Sequence, residues 1–193
     1  PRVALWREMQ PTEVQHEFDL AAAVLRRRLE TAQRGGLHTQ LTVTRGGPGS
    51  VLGQYAQADD LLVVTEPADP MARWVQPFSG LLEAALAAPS AVLHLPHRGA
   101  RGRGPIAYFG AGEAGELARR LAQALGAPCV DAEAGQHAAH TRSLHALLAQ
   151  LAERRVRVVV CDRAALGAHP QRTLQEAGDR RLAVLLTPAR HEA

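Results

Sequence analysis

The segment from Ser90 to Pro128 reads SAVLHLPHRGARGRGPIAYFGAGEAGELARRLAQALGAP. It holds two short apolar runs, Ala91–Leu95 and Ile106–Phe109, separated by a proline-bracketed, arginine-rich link. Short apolar runs bounded by turn residues are typical of buried strands in α/β proteins. We therefore expect the first run to be the last strand of one α/β unit and the second run to be the first strand of another, with the two strands as neighbours.

These two predicted strands divide the chain into a first unit at residues 1–97, a linker at 98–103 and a second, shorter unit at 104–193. A chain of 193 residues is long enough for one large or two small α/β domains with a buried core. The sequence begins at Pro1 rather than at methionine, so we expect it to be part of a longer protein whose preceding segment is unknown.

Glycines follow the second apolar run in the pattern G-x-G-x-x-G, at Gly110, Gly112 and Gly115. Placed between a strand and a helix, such glycines let a phosphate approach the backbone N–H groups at the positive end of the helix. Glu113 lies within the pattern, and Glu133 stands at the end of the next apolar run, where an acid could bind a ribose. The alternative is a tight strand-to-helix turn in which small residues allow close packing.

Composition excludes several classes of protein. All 22 basic residues are arginines, and 19 acidic residues mixed among them leave a net charge of +3, which gives no concentrated surface for nucleic acid. No apolar run reaches the roughly 18 residues that span a bilayer. Cys129 and Cys161 form neither a CxxC pair nor a disulfide framework, which predicts a reducing compartment and a cytoplasmic location.

Residues before the link follow helix and strand periodicities in turn. Apolar residues spaced by three or four predict a long helix from Val14 to Leu29, and the alternating run Leu37–Thr44 predicts a strand. The run Leu61–Val64 is apolar at every position, which predicts a central parallel strand covered by helices on both faces. Arg73 and Trp74, in the loop that follows, are the anion and stacking candidates of this half. After the link, the runs Val156–Cys161 and Leu182–Thr187 correspond to Leu61–Val64 and Ala91–Pro96.

The order of these elements resembles the universal stress protein family. The matching phrases are the Gly-Gly that ends the long helix, Ala58-Asp59-Asp60-Leu61-Leu62-Val63-Val64 and Ala88-Pro89-Ser90-Ala91-Val92-Leu93-His94-Leu95-Pro96. The restart at Gly104-Pro105-Ile106, with the following segment up to Gly126-Ala127-Pro128, is similar to the first strand and helix of a second, degenerate copy. The resemblance implies a flavodoxin-like, three-layer α/β sandwich of the adenine-nucleotide α-hydrolase type, built from two half-repeats.

Many members of that family bind ATP or AMP, using an acid after the first strand and a glycine-rich loop after the fourth. This sequence departs from both marks, because Gly110 rather than an aspartate follows Phe109, and the loop after Cys161 offers only Asp162, Arg163 and Gly167. The resemblance therefore implies a nucleotide site, with ATP or AMP as ligand, only around the Gly110–Gly115 loop and Asp162. A missing glycine loop removes the N–H groups that would hold a triphosphate.

Three hypotheses of different classes follow. The first is a non-catalytic regulatory or sensory module of the stress-protein type, such as the cytoplasmic domain of a transporter or signalling protein, acting as a dimer or through a protein partner. The second is an adenine-nucleotide or dinucleotide binding module that uses the Gly110–Gly115 loop. The third, an enzyme, is least favoured, because the sequence shows no set of general base, nucleophile and metal ligands; the pairs His94/His97 and His137/His140 have no further converging ligands. We assign no catalytic or metal-binding residue.

Overall fold

The computed structural model describes residues 11–33, 47–74, 77–110, 112–133 and 144–188. The chain divides into two units, Pro1–Arg45 and Gly46–Ala193. In the first unit, helix α1 runs over Pro11–Gln33, where a helix was predicted. The predicted strand Leu37–Thr44 lies outside the described residues.

The second unit alternates helices and strands. Its helices are α2 (Pro48–Tyr55), α3 (Phe78–Ala87), α4 (Glu113–Leu125), α5 (Leu144–Glu153) and α6 (Pro170–Asp179). Its strands are β1 (Leu61–Thr65), β2 (Ala91–Leu95), β3 (Ile106–Phe109), β4 (Cys129–Asp131), β5 (Val158–Cys161) and β6 (Ala183–Leu186). Two short 3₁₀ helices, Met71–Arg73 and Arg163–Leu166, follow β1 and β5.

The described strands form one sheet in the order β1-β2-β6-β5-β3-β4. All neighbours are parallel except β2 and β6, which pair antiparallel with His94 opposite Val184 and Val92 opposite Leu186. This mostly parallel sheet with helices confirms the predicted α/β class. The expectation that β2 and β3 are neighbours is wrong, because β6 and β5 lie between them. All four residues of β6 are buried, because Val184 and Leu186 pack into the core on one face of the sheet and Leu185 packs into the core on the other.

The succession strand, 3₁₀ helix, helix, strand occurs twice, first from β1 to β2 and again from β5 to β6. The last strands of the two successions are the pair that meets antiparallel. Arg101 belongs to the predicted linker, which follows β2 in the sequence. It donates hydrogen bonds to the carbonyls of Val156 and Arg180, at 3.5 and 3.4 Å. The division into units at 1–97 and 104–193 stays a prediction.

The two faces of the sheet are covered unequally. Helices α3, α5 and α6 pack on one face over a core that includes Val64, Val92 and Val184. On the other face α4 covers β3 and β5, while the side chains of Leu61 and Val63 remain 53% and 56% exposed. The prediction that β1 is covered on both faces is therefore wrong. A short apolar run looks the same whether one face or both are packed, so its sequence could not tell the two cases apart.

Candidate functional site

The predicted glycine loop joins β3 to α4. Gly110 and Gly112 both have positive φ values, 90° and 80°, which L side chains rarely adopt. Gly112 precedes the first helical residue and has no side chain to bond the free N–H groups of the first turn. The loop thus makes the tight strand-to-helix turn that the sequence predicts.

The other predicted site residues are only partly brought together. Because β3, β4 and β5 are parallel, the segments after them, with Gly110, Glu133 and Asp162, lie along one edge of the sheet. Glu113 is exposed in the first turn of α4. Gly115 is buried instead and packs against the Tyr108 ring, where a β-carbon would lie at an ordinary contact distance of 3.4 Å.

Carboxylates dominate the surroundings of the loop. Glu113 and Glu116 occupy the first turn of α4, and Asp131 accepts a hydrogen bond from the backbone N–H of Glu133 at 2.8 Å. Asp162 accepts one from the Thr187 hydroxyl at 2.6 Å. Negative charge at a helix N-terminus offsets the positive end of the helix dipole and repels a phosphate. The described part of this edge therefore favours a phosphate less than the glycine pattern alone suggests.

A cluster of charged groups lies at the opposite edge of the sheet, where β1 and β2 end. Glu66 follows β1 with its side chain fully buried, and its carboxylate lies 3.4 Å from the guanidinium of Arg73. Arg73 also reaches Asp179, at the end of α6, at 2.5 Å. His94 of β2 is fully buried, with Nε2 3.5 Å from Oε1 of Glu66. We call these four residues the Glu66 cluster.

Burial shifts Glu66 and His94 of this cluster toward their neutral forms. It raises the pKa of Glu66 from its ordinary 4.5 to about 7, outweighing the opposing effect of Arg73. Burial, aided by the positive charge of Arg73, lowers the pKa of His94 from 6.5 to about 4. Among the residues that the structure describes, neither Oε1 of Glu66 nor Nε2 of His94 finds a hydrogen-bond partner. If Oε1 of Glu66 carries a proton, it can donate that proton in a hydrogen bond to Nε2 of His94.

Arg163 has a comparable place after β5. Its guanidinium donates to the carbonyls of Leu86 and, at 2.5 Å, of Ser90, both at the turn from α3 to β2. The Leu86 carbonyl stands at the negative end of α3, where a cation is stabilising. After each of the strands β1 and β5, an arginine therefore reaches the last turn of the helix that belongs to the other succession.

Sequence reasoning missed most of the Glu66 cluster. It named Arg73 as an anion candidate, but the structure has this guanidinium already paired with two carboxylates. The available signal was His94, a polar residue in the middle of an apolar run. The spacing of His94 and His97 would suit a pair of metal ligands. The described residues, however, contain no group of three His, Cys, Asp or Glu side chains that could hold a metal ion. His137 and His140 lie outside the described residues.

Comparison with known proteins identifies a shared fold. No known family model matches the sequence, and no curated protein matches it. Two solved structures are similar, each at 13% identity over 86% of this chain and 78% of the other: a functionally unknown protein from Pseudomonas aeruginosa PAO1, with a TM-score of 0.56, and a proposed universal stress protein from P. aeruginosa UCBPP-PA14, with a TM-score of 0.54. The chain therefore has a universal-stress-protein-like fold. None of the helices within the described ranges is long and apolar enough to cross a bilayer.

Opposite pH dependences are expected from Glu66 and His94. Folded Glu66 holds its proton more tightly than unfolded Glu66, so its contribution to the free energy of unfolding falls as pH rises from 4.5 to about 7. Folded His94 binds its proton less tightly, so its contribution rises between about pH 4 and 6.5. The stability of Glu66→Gln minus that of the wild type should rise with pH, and that of His94→Gln minus wild type should fall, each by up to about 1.4 kcal/mol per pH unit. Urea unfolding from pH 4 to 7.5 measures both differences; flat difference curves would contradict the assignment.

Gly178 is the point where α6 touches the Glu66 cluster. A β-carbon at this position would lie 2.1 Å from Oε1 of Glu66, so the buried carboxylate would have to move away from Arg73. We expect Gly178→Ala to lower the free energy of unfolding by about 1–3 kcal/mol. Gly53→Ala is the matched control, because it lies in α2 with open space around it and should be neutral or stabilising by up to about 1 kcal/mol. Equal stability of the two variants in urea would show that Glu66 is not packed against Gly178.

Proposed function

We propose that this chain is a non-catalytic regulatory or sensory module of the universal-stress-protein type. One observation carries the proposal: the charged groups that follow β1 and β5 are engaged within the chain. Arg73 is paired with Glu66 and Asp179, while Arg163 is bonded to backbone carbonyls of the other succession. In open α/β sheets, ligands bind at the carboxyl ends of the strands. Arg73 and Arg163 lie at these ends, but both already bind groups of the protein and are therefore not free to act on a substrate.

Such a module acts through self-association or through another protein. Leu61 and Val63 support this, because they form an apolar pair on β1 that stays more than half exposed and that none of the described helices of the second unit covers. A cytoplasmic location is part of the proposal and is supported by two free thiols, Cys129 and the fully buried Cys161. Burial raises the pKa of the Cys161 thiol to about 12, which makes it unreactive.

A second candidate function is the binding of an adenine nucleotide such as ATP or AMP at the loop from Gly110 to Gly115. The positive φ values of Gly110 and Gly112 support it, since they open a 13-residue helix without a side-chain cap. The acidic residues Glu113 and Glu116 in the first turn oppose it. Because Gly115 packs on Tyr108, any phosphate contact falls to Gly110 and Gly112, with Glu133 and Asp162 as the acids along the same edge.

A nucleotide screen separates the two candidates. We expect about 1 mM ATP, AMP, cyclic AMP or NAD, with and without Mg²⁺, to leave the melting temperature of the full chain within about 1 °C and to remain unconverted. A rise of several degrees that is lost in Gly112→Ala, but kept in the matched Gly102→Ala control, would favour the nucleotide site. Gly102 has open space and no positive φ, so its substitution should be silent. Turnover of any nucleotide would overturn the non-catalytic proposal.

A further inference from the structure

A cleft of about 640 Å³ opens between α3 and the start of α6, and no residue of the glycine loop or of the Glu66 cluster lines it. Trp74 and Glu83 line it from one side, Arg172 lines it from α6, and Leu86, Ala168 and Pro170 supply apolar walls. The volume lies within the range of about 300–1,000 Å³ that is typical of small-molecule sites. Nothing in the mechanism of the proposed function uses this cleft.

Trp74 is held in place as one wall of the cleft while 58% of it remains exposed. Its backbone N–H donates to the carbonyl of Met71 at 3.2 Å, and the preceding carbonyl, of Arg73, accepts a hydrogen bond from the buried side chain of Gln175 at 3.1 Å. The Arg73 side chain is fixed by Glu66 and Asp179. An indole on a backbone anchored in this way presents a flat apolar surface on which a ring can stack.

Arg172 supplies the charge that would orient a ligand. Within the described residues, neither its guanidinium nor the Glu83 carboxylate makes a hydrogen bond or ion pair. Arg73, Arg101, Arg163 and Arg180 are engaged with protein partners, whereas Arg172 is exposed and lines the cleft. Arg172 offers one guanidinium to one carboxylate, and Glu83, which also lines the cleft, repels further negative charge, so a polyphosphate is disfavoured.

We propose that this cleft binds a small flat aromatic monocarboxylate, with its ring stacked on Trp74 and its carboxylate paired with Arg172. A planar guanidinium binds a carboxylate through two parallel hydrogen bonds, which fixes the orientation of the ring. The inference rests on the proposed function in one respect: for a sensory module, this ligand is the signal. The walls come from α3 and α6, so an occupant contacts both strand–helix–strand successions at once.

Titration calorimetry of the full chain with naphthalene-2-carboxylate as the probe tests this site. We expect saturable binding with a Kd below about 1 mM, and Arg172→Gln should weaken it about tenfold or more, as loss of a charged hydrogen bond does. Trp74→Ala should weaken it to a similar degree, and Trp74→Phe should restore part of the affinity because it keeps a ring. The neutral amide of the probe should bind about tenfold more weakly than the carboxylate and be insensitive to Arg172→Gln.

Arg154→Gln is the matched control, since Arg154 is an exposed arginine that does not line the cleft. The proposal is overturned if the probe does not bind at about 5 mM, or if Arg172→Gln and Arg154→Gln bind it equally well. Glu83→Gln should tighten binding and admit a dicarboxylate, which a purely apolar gap would not do. If the probe does not bind and the nucleotide screen is also negative, the cleft proposal fails while the proposal of a non-catalytic module stands. If a nucleotide is turned over, the non-catalytic proposal fails, and the calorimetry result for this cleft is unaffected.

Discussion

The antiparallel pairing of β2 with β6 is the constraint on which the rest of the structure depends. Val92, His94, Val184 and Leu186 meet there, and all four side chains are fully buried. Because the strands on either side run in opposite directions, the carboxyl ends of β1 and β2 face one edge of the sheet and those of β3, β4, β5 and β6 face the other. Each edge is thereby brought against the last turn of a helix from the other succession.

This geometry explains why charges are buried at both junctions. Taking Glu66 or Arg163 out of water is costly, and partners from the opposite succession offset that cost. Removing the partner would leave a buried charge unpaired, so the arrangement favours one way of joining the two successions. Arg172 and Trp74 take no part in these junctions through their side chains, and both side chains stay exposed.

The sequence predicted local elements well and their arrangement poorly. Strands such as Ile106–Phe109 and the turn at Gly110 and Gly112 follow from apolar runs and glycine chemistry, which act over a few residues. The wrong neighbour for β2 and the wrong coverage of β1 both concern contacts between distant segments, which no local pattern encodes. Likewise, Glu66, His94 and Asp179 are far apart in sequence, and only the sheet order brings them together.

Hydrogen exchange followed by mass spectrometry tests most directly whether β2 and β6 hold the two successions together. If they do, the amides of segments 91–95 and 183–186 open only with the whole second unit, and both segments exchange at the same slow rate with the same dependence on urea. Exchange of segment 91–95 about a hundredfold faster than segment 183–186 in the absence of urea would show that β2 opens independently, and would contradict the account.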